Sequence, residues 1–101
     1  MRIEKTGRFD KWLRKLKDRE AKARIANRLV RIAAGNLGDH KSVSDSVSEI
    51  RIDYGPGYRL YYTILDDGSV LLLLAGGTKR RQQADIAMAK AVLEQVKRNT
   101  T

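Results

Sequence analysis

The stretch "SEIRIDYGPGYRLYYTILDDGSVLLLLAGG", residues 48–77, decides the fold. Ile50 and Ile52 alternate with Glu49, Arg51 and Asp53, the period of a strand with one buried face. Gly55-Pro56-Gly57 imposes a turn, and residues 58–65 resume as a strand. "DDGS" (66–69) is a second turn, in which Gly68 supplies an awkward φ. "VLLLLAGG" (70–77) has no alternation and so predicts a central strand covered on both faces. Together these segments predict an antiparallel meander. Period two places Tyr58, Leu60, Tyr62 and Ile64 on one face of the middle strand, with Arg59, Tyr61, Thr63 and Leu65 on the other. Arg59 is then either a solvated outward position or a cation held on a rigid sheet to meet a phosphate.

Upstream of the meander, residues 2–5 predict a short first strand. Phe9, Trp12, Leu13 and Leu16 recur at i, i+3, i+4 and i+7, one face of a helix. Asp18 interrupts this pattern, and a second helix runs from about Arg19 to Ala34 with Ala21, Ile25, Leu29 and Ile32 in one stripe. Gly35 is a natural residue for its end. The two helices predict a helical hairpin, apolar faces inward and cationic faces outward, with Phe9 and Trp12 in the core. Residues 35–48 are polar and Gly/Ser-rich, a loop with room for one short extended piece. Downstream, a third helix from about Arg81 to Asn99 carries Ile86, Ala89, Leu93 and Val96 on one face. The order is β-α-α-β-β-β-α, an α+β arrangement in a single domain spanning residues 1–101.

The chain has 101 residues, 42% hydrophobic and 33% charged, a balance that predicts a folded domain. No apolar run approaches the ~18 residues of a membrane span, and "MRIEKTGRF" lacks the apolar core of a secretory signal. There is no cysteine, which excludes a disulfide framework or a thiolate metal site and fits a cytoplasmic location. One histidine, His40, argues against a His-rich zinc site. The net charge of +9 is unevenly spread. Residues 1–31 carry 12 Lys/Arg against 4 Asp/Glu, residues 32–78 carry 3 against 6, and residues 79–101 carry 6 against 2. Two basic ends favour a polyanionic partner: nucleic acid, or an acidic protein.

Arg59 and Tyr61 are neighbours on one face, roughly 7 Å apart. A hairpin through the YGPG loop brings Arg51 onto that face in one register and not in the next, and the sequence does not determine which. "GGTKRRQQAD" places Lys79, Gln83 and Asp85 where the last helix begins, after two glycines that admit a close-lying ligand or simply make a turn. Arginines, a lysine and a tyrosine without metal ligands suit a phosphodiester, which guanidinium groups grip in a bidentate fashion. They also suit attack of a ribose 2′-oxygen on the adjacent phosphorus, which uses no metal or cofactor because the nucleophile belongs to the RNA. The proton in that reaction is moved by Tyr61, Lys79, Glu49 or Asp85; His40, in the polar loop, is a weaker candidate. Asp85 also suits a helix's first turn on dipole grounds alone.

The motifs "FxxWLxxLKD" (9–18), "RIxxRL" (24–29), "GNxGD" (35–39), "SEIRIDxGPGYRLYY" (48–62) and "LLLxGGxKxxQxxDI" (72–86) occur in this order. In that combination the chain resembles the RelE/ParE toxin superfamily, most of all its HigB-like branch of phage-derived addiction-module killer proteins. The resemblance covers about residues 8 to 96. It implies a small α+β toxin of a type II toxin–antitoxin pair that cuts mRNA at the ribosome and stops translation. It also implies a separate, helix-turn-helix HigA-like antitoxin as partner. Carried over, Arg59 matches the arginine that faces the scissile phosphate, Arg51 a basic position on the preceding strand, and Lys79 a basic residue after the last strand. Tyr61, Lys79 and Asp85 complete the expected catalytic group, with Tyr61 expected to orient the substrate or stack on it. Arg51, Arg80, Arg81, Lys15 and Lys22 are the expected RNA contacts. Asp85 stands in the neighbourhood where RelE-type toxins carry a C-terminal tyrosine, and the histidines of some HigB toxins are missing. Two other functions share these features: a ParE-like inhibitor that binds DNA gyrase, and a basic RNA-binding module without activity. The GGxKxxQxxD segment favours the nuclease.

Overall fold

Two polar side chains start the helical half of the molecule. Thr6 Oγ1 accepts from the Phe9 N–H at 3.1 Å and opens α1 (Gly7–Lys15). Asp18 accepts from the N–H groups of Glu20 and Ala21 and opens α2 (Arg19–Ala33). Each satisfies donors that a helix start leaves unpaired. The aspartate that breaks the apolar periodicity is therefore the cap of the second helix. Beyond α2, Gly35 takes φ 98°, a left-handed value that ends a helix without steric cost to glycine.

The computed structural model describes residues 1–99, which build a five-stranded sheet flanked by helices on both faces. The strands are β1 (Arg2–Lys5), β2 (His40–Ser42), β3 (Ser48–Ile52), β4 (Tyr58–Leu65) and β5 (Val70–Thr78), in the spatial order β1-β5-β4-β3-β2. β3, β4 and β5 form the expected antiparallel meander, and β1 adds to it in parallel alongside β5. The extended piece inside the polar loop is a real edge strand, β2, paired antiparallel to β3. After β5 a 3-10 turn over Lys79–Arg81 leads into α3 (Gln82–Asn99), so the helix begins one residue later than the periodicity suggests.

Sequence alternation sorts the core into two layers. On one face Phe9, Ala21, Ile25 and Ile32 of the helical hairpin meet Ile50, Ile52, Tyr58, Leu60, Tyr62, Leu71 and Leu73. Phe9 and Trp12 are 5.6 Å apart between ring centroids, and Trp12 reaches Tyr58 edge-on at 6.2 Å. On the other face Ala89 and Leu93 of α3 pack on Val47, Tyr61, Leu72, Leu74 and Ala75. Burial of such side chains, at about 25 cal/mol per Å², is the main force joining the layers. β5 is thus covered on both faces, as its unbroken apolar run predicts.

Three local features depart from the sequence reading. The β4–β5 register shifts between Tyr61, paired with Ala75, and Tyr62, paired with Leu73, leaving Leu74 as the extra residue of a bulge. The turn after β4 has positive φ at Asp66 and Asp67 as well as at Gly68, where glycine alone was expected to need it. Arg28, a cation of α2 outside the apolar stripe, does not face outward with the others: it is buried and donates to the carbonyls of Leu37 and Asp39. Gly38 has φ 66°, a left-handed value that favours glycine, and a Cβ there would lie 2.7 Å from that guanidinium and push it aside. Burial lowers the Arg28 pKa, with nearby Arg31 adding to the effect.

The YGPG loop is tied to the hairpin. Tyr54 donates its hydroxyl to Asp18 Oδ2 at 3.0 Å, and Arg24 lies 4.5 Å over the Tyr54 ring. Asp18 therefore serves both the helix start and the loop. The backbone hydrogen bond from Ala21 is the main reason that its pKa falls below the ordinary carboxylate value, with Tyr54 and Glu20 assisting against a smaller desolvation.

Candidate active site

The antiparallel register sets Arg51 directly opposite Arg59 and Glu49 directly opposite Tyr61. All four lie on the face of the sheet that α3 covers, since Ile50, Leu60 and Tyr62 face the hairpin. Like charges directly opposed across two strands repel, so a counter-charge is needed. Glu49 supplies it. Its side chain is 0% exposed, and Oε2 accepts from Arg51 Nε at 2.8 Å and lies 3.8 Å from Arg59 Nε. Its other oxygen, Oε1, accepts from Gln82 Nε2 at 2.8 Å. The hydrogen bond to Glu49 is the main cause that raises the Arg51 pKa, so that guanidinium stays charged.

Arg59 is 9% exposed, more enclosed than a cation presented on an open sheet would be. Its Nη1 makes one long bond, 3.4 Å, to its neighbour's carbonyl at Tyr58, and its Nε has no hydrogen-bond partner. The guanidinium lies against Gly57, where a Cβ would sit 3.6 Å from Nη1 and 3.2 Å from the Lys79 Cβ. Gly57 has φ 79°, and its carbonyl accepts from the Lys79 N–H at 2.7 Å. The hairpin loop thereby brings exposed Lys79 and enclosed Arg59 to the same corner of the sheet.

Tyr61 departs from its expected role. The ring is 0% exposed and packs under α3, so it has no surface on which a base could stack. Its hydroxyl is buried without a partner. Burial is the largest influence raising its pKa, the negative charges of Glu49 and Asp85 add to it, and Arg59 opposes it. The phenol therefore stays protonated at neutral pH and cannot serve there as a base. Glu49 is equally unsuited to meet a substrate, because it is enclosed and both of its oxygens are engaged.

Gly76 and Gly77 belong to the strand rather than to a turn or an open ligand cradle. A Cβ on Gly76 would run into the Trp12 ring, and one on Gly77 into the Asp85 carboxylate. The pair lets an indole from α1 and a carboxylate from α3 lie on the backbone of β5 from opposite faces. Asp85 Oδ2 is buried there without a hydrogen-bond partner. Desolvation raises the Asp85 pKa above the ordinary carboxylate value, against smaller opposing effects from Arg81 and the Thr78 backbone. Among the candidates to move a proton, Asp85 has the environment for it.

Over this end of β5 lies a groove of about 730 Å³, open between α1 and the start of α3. Arg8, Lys11 and Lys15 line one wall, Arg81 and Asp85 the other, and Gly76 and Gly77 the floor. Two expected RNA contacts, Lys15 and Arg81, are thus brought together. Lys22 is not among the lining residues; its Nζ donates to the Arg14 carbonyl, where it closes the turn between the helices. Arg80 is exposed in the 3-10 turn. His40 sits on edge strand β2, two strands from Arg59, with Nδ1 2.8 Å from the Gly38 carbonyl oxygen. Gln82, which fastens α3 to Glu49, was missed because it lies 33 residues away in the chain. Only its place in the QxxD spacing gave any signal.

No protein-family model matches the chain. Its fold is that of the RelE toxin. A mutant Escherichia coli toxin RelE in the free state aligns with a TM-score of 0.68 over 94% of this chain and 96% of that one, at 16% identity. The intact E. coli RelBE toxin–antitoxin complex gives a TM-score of 0.63 over 76% of this chain and 94% of that one, at 22% identity. Isolated E. coli RelE gives 0.62 over 82% and 93%, at 20% identity. In sequence the chain is 45% identical, over 96 residues, to an uncharacterized protein of Haemophilus influenzae strain Rd, covering 95% of this chain and 96% of the relative. With that identity along almost the whole of both proteins, the chain, a RelE-like fold, belongs to one family with the Haemophilus influenzae protein.

Proposed function

We propose that this protein is the toxin of a type II toxin–antitoxin pair, a HigB-like endoribonuclease that cuts mRNA without a metal and so stops translation. The observation that carries the reading is the cross-strand pair Arg51–Arg59 beside Lys79, three cations gathered at one corner of a rigid sheet. Arg59 stabilises the charge that builds on the phosphate as the ribose 2′-oxygen attacks the phosphorus and the 5′-oxygen departs. Arg51 and Lys79 bind the same phosphodiester. The 2′-hydroxyl gives up one proton and the leaving oxygen takes one, and Asp85, with its raised pKa, is the group suited to carry it. Lys15, Arg81, Arg8 and Lys11 hold the strand electrostatically along the groove, and Arg80 extends that field. The partner is an antitoxin encoded separately and of the HigA type, and the substrate is mRNA on the ribosome. E. coli RelE, the structural neighbour, forms a complex with its own antitoxin.

Primer extension on cellular mRNA after induction of the protein tests this. New 5′ ends that disappear with Arg59→Ala are expected, with the variant still folded. No new ends, with DNA-damage signalling in their place, would move the assignment to a gyrase inhibitor.

A further inference from the structure

The geometry points to Glu49 as a positioning residue that holds Arg51 and Arg59 as a two-guanidinium phosphate fork and fastens that fork to the start of α3 through Gln82. This deepens the nuclease reading and rests on it for the identity of the phosphate. Three observations converge. Glu49 is fully enclosed, which for a carboxylate demands compensating partners. It turns one oxygen to the two arginines and the other to Gln82. Both arginines present their Nε edge to it, at 2.8 and 3.8 Å. Drawing the Nε edges inward leaves the terminal nitrogens for a ligand; among the described residues their one hydrogen bond is the long one from Arg59 Nη1 to the Tyr58 carbonyl. The hydrogen bond fixes the planar Arg51 guanidinium along one edge, and the ion pair draws Arg59 to the same oxygen, an arrangement suited to bidentate capture of a phosphate.

The link to Gln82 adds a second consequence. β3 carries Glu49, β4 carries Arg59, and α3 carries both Gln82 and Asp85, three residues apart on the same side of the helix. One carboxylate therefore sets the distance between the phosphate fork and the carboxyl group of Asp85.

Two roles for Glu49 predict opposite signs. A simple counter-charge weakens anion binding, so Glu49→Gln would tighten the affinity for inorganic phosphate. A positioning residue helps anion binding by orienting the fork, so Glu49→Gln loosens it. NMR titration with inorganic phosphate measures that affinity, and hydrogen exchange at the Arg51 Nε–H reports the orientation. In folded Glu49→Gln we expect phosphate binding weakened about 10-fold or more, the scale seen when an outer-shell partner of a ligand-binding group is lost. The Arg51 Nε–H should exchange faster. Tighter or unchanged phosphate binding, or unchanged exchange, overturns the proposal. Gln82→Ala removes only the α3 side and should give the same two changes in weaker form, a loss of affinity below the roughly 10-fold expected of Glu49→Gln; it decides the matter alone if Glu49→Gln does not fold. These readouts need no RNA cleavage. If the wild-type protein yields no new mRNA ends while both measurements move as expected, the nuclease reading fails and the fork stands.

Discussion

Arg51 and Arg59 face each other across β3 and β4 with one oxygen of Glu49 at 2.8 Å from the first Nε and 3.8 Å from the second. This asymmetry gives the two arginines different duties. Arg51, held by a short bond and more exposed, is anchored. Arg59, drawn to the same oxygen by a longer ion pair and holding one long bond from Nη1, keeps its terminal nitrogens for something that arrives. Arg59→Lys should keep the charge and lose the fork, so mRNA cleavage should fall by about 100-fold. Quantified primer extension checks this, and a lysine variant within a few-fold of wild type would show that charge alone suffices.

Gly76 and Gly77 act through packing. Gly76→Ala drives a methyl group into the Trp12 ring, and Gly77→Ala drives one into the Asp85 carboxylate. Each should destabilise the fold by about 1–3 kcal/mol, the usual cost of overpacking. Urea unfolding measures it. Gly77→Ala should also displace Asp85 and reduce cleavage beyond what the loss of stability explains, whereas Gly76→Ala acts through α1.

Asp85 makes stability depend on pH in a sense opposite to most carboxylates. Its pKa is raised on folding, so the folded state binds the proton more tightly than the unfolded chain. Stability therefore falls as pH rises from the ordinary carboxylate value through the raised one. Asp85→Asn should remove that slope, leaving the variant more stable than wild type above the window and no better below it. Asp18 runs the other way: its lowered pKa gives stability that is complete above the ordinary value and lost as pH falls through the lowered one. Thermal melts of wild type and Asp85→Asn across pH 3–8, roughly the carboxylate range, separate the two. Cleavage by Asp85→Asn should drop by about 100-fold or more if it carries the proton.

The groove predicts a salt effect. Replacing Lys11 and Lys15 with glutamate should weaken binding to single-stranded RNA and reduce the dependence of affinity on salt by about one to two phosphate contacts. The same change at Lys22, whose amine is committed to the Arg14 carbonyl, should have a smaller effect. Equal losses at the two sites would mean that the hairpin acts as a diffuse field and that the groove has no special place.

Much of the architecture was legible because period two and period 3.6 are written plainly in the chain. The alternation of Ile50 and Ile52, the Phe9/Trp12/Leu13/Leu16 stripe and the YGPG break each mark one element with its buried face. The strand β2 was faint because "HKS" has no apolar residue and pairs only at the sheet's edge. Within the site, the shared face of Arg59 and Tyr61 follows from period, but the placing of Arg51 on that face, directly opposite Arg59, needed the register between two strands. Tyr61 was misjudged for a physical reason. Its face is the polar one by neighbours in sequence, yet α3 comes down on it and leaves Arg59 at the margin. Alternation reports two faces; which of them a later helix will cover depends on residues 20 or more positions away.

The bulge at Leu74 has a consequence for how this protein can change. Before it, odd-numbered residues of β5 face the hairpin, as Leu71 and Leu73 do; after it, even-numbered ones do, as Gly76 does beneath Trp12. The strand is thus two half-strands out of phase, one keyed to the core and the other to the groove, joined at a single residue. Loss of one leucine from the 71–74 run would take up the bulge, because Leu73 opposite Tyr62 and Ala75 opposite Tyr61 already stand in register on either side of it, and Gly76 and Gly77 would keep their places beneath Trp12 and Asp85. One residue added to the run finds no such slack: unless the bulge widens, it sets each glycine beneath the wrong helix. The strand is built to lose a residue more easily than to gain one.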